Sequence, residues 1–239
     1  MNRSRIFSLI FILGLMITPA FFLSKCMNDH TKNLPSLAIL RDNFKNERTI
    51  PPFSFINQNN DTVTNDYYKD KIYIANFIFT TCPTQCKDMT FNMEYLQGKL
   101  SKYDDVYFLS HTVNPEYDTP EVLNQYATRL EKELGADLSK WNFVTGNKKE
   151  IYEIAKSYLV SAGVDTSGMG HNGFIHDDIF TLVDGQGRIR AGWQETSNPM
   201  DSSIRIYYGT QIPMIKEMVR DVGVLVSETK RLQRNAKNQ

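Results

Sequence analysis

From Ile72 to Phe79 the chain reads IYIANFIF, a nearly unbroken run of β-branched and aromatic residues. Such a run has no polar face to offer water, which predicts a central strand covered on both sides. Around it the pattern changes period. Phe53–Ile56 alternates, Asn57–Asp61 is turn chemistry and Thr62–Thr64 can return, which predicts a β-hairpin. Met89, Met93, Leu96 and Leu100 form one helical stripe within residues 84–102, and Val106–Val113 reads as a second core strand. Val122, Tyr126 and Leu130 stripe another helix, which Pro120 can open and Gly135 with Asp137 can close. Trp141–Val144 is a third strand of the parallel type. Asn147 can cap a helix over 148–159, with Glu150 at its third position completing a capping-box pattern. Four glycines in residues 161–173 predict a loop able to approach a site closely. Ile179–Val183 and Ile189–Trp193 are strands joined by Asp184-Gly-Gln-Gly187, a strong hairpin signal. Residues 195–209 read as irregular, and Pro213 starts a final helix to about Arg231.

The first 49 residues obey a different rule. Met1–Arg5 is basic and Ile6–Leu23 is eighteen residues without a charge, between a secretion signal's apolar core and a full membrane span in length. Basic residues ahead of that segment favour export of the remaining chain. The expectation is a signal anchor or lipoprotein-type leader over 1–25, with Cys26 as the candidate for lipidation and Lys25 unfavourable to it. Residues 26–49 are expected as a linker, 50–234 as the domain and 235–239 as a tail. The domain then sits at the outer face of a bacterial inner membrane, facing the periplasm or cell exterior. Alternating strands and helices with a hairpin and a closing helix after them give the fold class: α/β, thioredoxin-like, with an added N-terminal β-hairpin. No internal repeat is present.

Charge narrows the partners. The chain balances 27 basic against 27 acidic residues, but three of the bases lie in the first 25, so the remainder is mildly acidic. That argues against nucleic acid as a partner. Three cysteines are too few for a disulfide scaffold, and Cys82 and Cys86 are a close pair. Their C-x3-C spacing is neither the common C-x-x-C redox motif nor a four-ligand zinc pattern. Pro83 suits a helix's first turn, which places both cysteines at the strand-to-helix junction with their sulfurs facing the same way. Helix N-terminal amides lower thiol pKa values, and Lys87 adds to that. Two such thiols suit either a dithiol–disulfide cycle or soft-metal ligation.

Of the four histidines, His30 falls in the linker. His176 ends the glycine-rich loop just before a strand and can add a nitrogen to the two sulfurs, a donor set suited to copper. A lone histidine is more often solvent-facing or hydrogen-bonded than a ligand. His171 competes for the role, and His111, ending the neighbouring strand, can also approach. Met89, Met93 and Met169 are soft donors, the first two better explained as core.

Four segments together carry a resemblance: FIFTTCPTQC at 77–86, VNPEYDTPEVLNQY at 113–126, WNFVTG at 141–146 and HDDIFTLVDGQGRI at 176–189. Over about residues 50–230 the chain resembles the Sco/SenC family of membrane-tethered, thioredoxin-like proteins involved in cytochrome c oxidase assembly. The resemblance implies one copper, Cu(I) or Cu(II), held by Cys82, Cys86 and His176. It also implies delivery to the oxidase subunit that carries the Cu(A) site, or reduction of that partner's cysteines. Lys87 stands where many members have a second proline, Asn114 where they often have aspartate, and Ile175 where an acid often precedes the histidine. Asp177 and Asp178 come after it instead and could orient the imidazole. The competing readings are a membrane-tethered thiol-disulfide oxidoreductase using Cys82 and Cys86 as its redox pair, and a copper or redox sensor. A thiol peroxidase fits poorly, since it needs one peroxidatic cysteine in its own pocket.

Overall fold

A computed structural model describes residues 36–82, 85–164, 174–192 and 206–237. In chain order the strands and helices are β1 (Ala38–Ile39), β2 (Ser54–Asn57), β3 (Thr62–Thr64), β4 (Ile72–Ile78), α1 (Gln85–Leu100), β5 (Val106–Thr112), α2 (Pro120–Leu134), β6 (Trp141–Thr145) and α3 (Lys148–Ser157). The second half holds β7 (Ala162–Val164), β8 (Phe174–His176), β9 (Ile179–Val183), β10 (Ile189–Ala191), β11 (Tyr207–Tyr208) and α4 (Ile212–Lys237).

The apolar run becomes β4, buried at every residue. It is central in the order β1-β10-β9-β4-β5-β6-β2-β3, parallel to β5 and antiparallel to β9, with β11 adding to β9. Successive side chains of β4 go to opposite faces. Ile72, Ile74 and Ile78 join Met89, Met93 and Leu96 of α1, with Leu123 of α2 and Val222 of α4. Tyr73, Ala75 and Phe77 join Leu109 and Val144, with Ile151, Ile154 and Tyr158 from α3 and Phe53 and Phe55 from the hairpin side. Each fully buried aliphatic or phenyl side chain stabilises by about 2 kcal/mol. Met89 and Met93 have no exposed surface, so the core reading of these methionines holds.

Local signals act as their chemistry requires. The Thr119 hydroxyl accepts from Val122 N at the start of α2, and Gly135 ends that helix with φ 77°. The Asn147 carbonyl oxygen caps α3 by accepting from Lys149 N and Glu150 N. Glu150 stays exposed and returns no bond to Asn147, so the cap is one-sided. The β2–β3 hairpin forms and docks on β6 through Ile56 and Asn57.

Three expectations need correcting. Part of the supposed linker pairs with the sheet: Ala38 and Ile39 pair with Ala191 and Arg190, and Thr49 bridges to Arg188. Polar composition hid this because the partner of β1 is the buried Arg190, whose guanidinium donates to the Leu37 and Ala38 carbonyls. Tyr207–Tyr208, within a stretch expected to be irregular, pairs with Ile179 and Phe180, a strand too short to show a period. The final helix runs on to Lys237. No helix among the described residues is long and apolar enough to cross a membrane. The expected anchor at 6–23, Cys26, His171, Met169 and Trp193 lie outside those residues.

Candidate metal centre

Beyond β4 the chain turns sharply, with Cys82 N donating to Phe79 O at 3.2 Å. Cys86 is the second residue of α1, and Pro83 with Thr84 lies outside the described residues. Neither cysteine is in a disulfide and both are buried, 7% exposed at Cys82 and 2% at Cys86. Cys86 N donates to Cys82 Sγ at 3.4 Å, which puts both sulfurs at one helix mouth as the spacing predicts.

His176 arrives from ninety residues away. A two-stranded ribbon holds it, with His176 paired to Ala162 across β7 and β8. Just beyond, Asp177 and Ser161 fasten each other twice: Asp177 N donates to Ser161 O, and the Asp177 carboxylate accepts from Ser161 N. The imidazole stands edge-on to Phe79 with ring centres 5.8 Å apart, and its Nε2 lies 3.2 Å from Cys86 Sγ.

The protons can be assigned from this geometry. His176 Nδ1 is 3.0 Å from the Asp177 carbonyl oxygen, which can only accept, so Nδ1 carries the hydrogen. Burial lowers the His176 pKa, outweighing the nearby acceptors, and keeps the ring neutral. Nε2 therefore presents a lone pair toward the Cys86 sulfur. Neither expected aspartate orients the ring through its carboxylate: that of Asp177 holds Ser161 N and that of Asp178 holds the Thr210 hydroxyl. The backbone oxygen of Asp177 does the orienting.

A lowered thiol pKa is not what the structure gives. Cys86 is pushed well above the ordinary thiol range, first by its hydrogen bond with Cys82, then by burial, with the charge of Asp118 adding to both. The dipole of a helix end falls off within a turn and is outweighed here by a thiol partner and desolvation. Lys87 points into solvent. Among the described residues no three His, Cys, Asp or Glu side chains already form a metal cage. Two thiols hydrogen-bonded together, with an imidazole nitrogen beside one of them, are the protonated form of such a set, and ligation requires that the protons leave.

His111 is not part of this cluster. Its ring stacks on Phe77 at 4.6 Å and is boxed by Phe53, Phe55 and Tyr158, and neither nitrogen has a hydrogen-bond partner. From the sulfurs a groove of about 560 Å³ opens between α1 and α2, lined by Phe79, Phe91, Tyr126 and Arg129 among others. A separate cavity of about 390 Å³ along β9 and β10 is lined, among the described residues, by no cysteine or histidine.

The residue that sequence reasoning missed is Asp118. It has no exposed surface, and its carboxylate accepts from Thr80 N and from the hydroxyls of Thr80 and Thr112. In sequence an aspartate before Thr-Pro reads as part of a helix start, with nothing to signal that its charge is buried beside the dithiol.

A family model described as SCO1/SenC matches residues 41–206. A SCO1/SenC family lipoprotein from Bacillus anthracis is 26% identical with a TM-score of 0.61, covering 84% of this chain and 99% of that one. BsSco, a member of the Sco family of cytochrome c oxidase assembly proteins, is 29% identical with a TM-score of 0.58, covering 77% and 95%. The copper-bound ScoI of Arabidopsis thaliana shares the fold at 21% identity and a TM-score of 0.55, covering 72% of this chain and 96% of that one.

Proposed function

This chain belongs to the SCO1/SenC family, and from that premise we propose that it takes up one copper ion through Cys82, Cys86 and His176. It then passes the ion to an acceptor in the assembly of cytochrome c oxidase, the subunit carrying the Cu(A) site being the intended recipient. The observation that carries this reading is the Nε2 lone pair of a neutral, buried His176 aimed at Cys86 Sγ at 3.2 Å. Two thiols and an imidazole whose other nitrogen is fixed by a carbonyl are a soft donor set suited to copper. Copper here is cargo, and the protein's work is to hold the donors, exclude water and release the ion by ligand exchange. Burial of both sulfurs limits exchange to ligands that enter from the groove.

The same premise includes the tether. The leader over 1–25 anchors the chain in the inner membrane, as an uncleaved apolar segment or through a lipid on Cys26. The linker over 26–49, in which Ala38, Ile39 and Thr49 pair with the sheet, then carries the domain over 50–234 and its tail outside the membrane. The kinship with a lipoprotein supports this. The oxidoreductase reading uses the same cysteines, one attacking a partner's disulfide and the other resolving the mixed disulfide.

The decisive test is anaerobic titration of the full chain with Cu(I) against a competing chelator. One-to-one binding should fall by about a hundredfold or more in Cys82→Ser or Cys86→Ser, and by roughly tenfold in His176→Ala. Weak parental binding, or binding indifferent to His176, would sink the three-ligand site.

A further inference from the structure

Two features protrude at the end of the domain opposite the cysteines. Cys82 follows the C-terminal end of β4, whereas Ile189 pairs with Val183, which pairs with Tyr73 near the start of β4. At Ile189 the chain leaves the sheet edge in a short loop. Leu40 N donates to Ile189 O, Ile189 N donates to Arg48 O, and Arg41 bridges to Glu47 between them. The Asp42 carboxylate ties this loop by accepting from Phe44 N, Asn46 N and the Asn46 side-chain amide, and Arg41 donates to Lys45 O. Phe44 stands at the tip, 86% exposed, with Lys45 and Arg48 also exposed. A single exposed apolar side chain is ordinary. Here, however, the loop's own hydrogen bonds hold it out.

The second feature is the end of α4. This helix starts beside Thr210, whose hydroxyl bonds Asp178, two residues from His176. By Gly223 it lies against the Tyr103 hydroxyl, just ahead of β5, whose first residue pairs with Ile72. It therefore runs away from the metal end. Residues 229–237 hold Lys230, Arg231, Arg234 and Lys237 and no acid, and Leu232 to Lys237 are exposed. Lys230, Arg234 and Lys237 share one face by helical spacing. A helix C-terminus favours a cation, and Arg234 serves there by donating to Lys230 O at 3.3 Å. The others exceed that need. Leu37, to which residues 24–36 lead from the apolar segment, donates its N–H to Glu228 of the same helix. That stretch reaches at most about 45 Å, so a bilayer holding the leader meets this end at high effective concentration.

We propose that the Phe44 loop and the last turns of α4 rest on an anionic bilayer, with Phe44 in the headgroup boundary and the basic face on lipid phosphates. This rests on the tether reading and extends it: the domain stands with its cysteine mouth turned away from lipid. The acids of the loop do not oppose this, since Asp42 serves the loop's own N–H groups and Glu47 pairs with Arg41 and Arg188. Asp104, exposed at the foot of β5, has Lys140 at 4.0 Å.

The test places the full chain in phosphatidylcholine vesicles with or without about 30% phosphatidylglycerol, containing acyl-brominated lipid, which quenches tryptophan on contact. In anionic vesicles Phe44→Trp should add blue-shifted emission above that of Trp141 and Trp193, with about half of it quenched. Tyr117→Trp, at a site 54% exposed in the loop after β5 at the metal end, should add emission that is not quenched. Lys230→Gln, Arg234→Gln and Lys237→Gln together should bring Phe44→Trp quenching down to its value in phosphatidylcholine alone, with the melting temperature unchanged. Phe44→Trp emission indifferent to brominated lipid overturns the bilayer contact, and equal quenching of Tyr117→Trp overturns the orientation. Quenching that survives the triple substitution removes α4 from the surface. A shift that tracks protein density and ignores lipid assigns Phe44 to a second copy of the chain and overturns the contact too. Carbonate extraction tests the tether separately: a chain that washes off overturns that reading alone, because quenching is read before extraction.

Discussion

His111 and His176 are both buried and neutral, but for different reasons. His176 has a carbonyl for Nδ1 and a thiol for Nε2. His111 has only aromatic rings: Phe77 stacks on one face and Phe53, Phe55 and Tyr158 close the rest. The backbone of Asn76 slightly favours its proton but makes no hydrogen bond to either nitrogen. Desolvation brings His111 down to about 3 from an ordinary 6.5. Linkage sets the sign: as pH falls through the unfolded value, the unfolded chain takes up a proton that the native state refuses. His111 therefore costs nothing above about pH 6.5, and each pH unit below it removes about 1 kcal/mol of stability until the folded pKa is reached. Urea unfolding at pH 7 and pH 5 should show this loss in the parent and a smaller one in His111→Phe. The neighbouring tyrosine hydroxyls of Tyr73 and Tyr158 are pushed upward and stay neutral in that window. His176 contributes in the same direction in both proteins, so the difference between them isolates His111. Equal slopes would remove His111 from the account.

Between β9 and β10 the hairpin Asp184–Gly187 uses its two glycines for different purposes. Gly187 has φ 75°, and a Cβ there would meet nothing within 4 Å. Gly185 has no unusual φ, but a Cβ would stand 2.6 Å from the Asp70 backbone, which donates its N–H to Gly185 O. Replacing Gly187 by alanine should cost about 1 kcal/mol for the left-handed backbone. Replacing Gly185 should cost about 2 kcal/mol or more, because main chain on both sides must move. Chemical denaturation of the two variants gives the ranking, and the reverse order would refute it. The sequence identifies this turn as a hairpin but assigns its glycines no separate roles, because Gly185 faces a loop more than a hundred residues away. At the helix mouth the same contrast holds: C-x3-C at the end of an apolar strand is legible, whereas the raised Cys86 pKa depends on Cys82 and Asp118 as they meet in space.

At the scale of the whole molecule, Arg190 joins elements from both ends of the chain. It is 2% exposed and pairs with Asp184 at 2.9 Å and with Glu228 of α4 at 2.7 Å. It also donates to the Leu37 and Ala38 carbonyls, so β1, the β9–β10 hairpin and the last helix share one cation. Arg190→Met leaves the partly buried Glu228 without its charge partner and should cost about 3 kcal/mol. It should also open residues 37–48 to proteases while leaving Cu(I) affinity within about twofold of the parent. A variant with undiminished urea resistance would show that β1 docks by packing alone.

By sequence alone, though not for β1, β7, β8 or β11, the chain already specifies its central strand, the succession of β2 to β6 with α1 to α3, the β9–β10 hairpin, the cap at Asn147, and the C-x3-C turn. These arise from periods and propensities that act over a few residues. The nearness of His176 to Cys86, the exclusion of His111 and the buried charge of Asp118 were left to the tertiary structure. So was the pairing of Ala38, Ile39 and Thr49 with the sheet. Each of these depends on which segments lie side by side after folding, and burial, which sets both hydrogen-bond choice and pKa, is a property of that juxtaposition. A histidine ninety residues from its sulfur and an aspartate thirty-eight residues from its threonine leave no local trace.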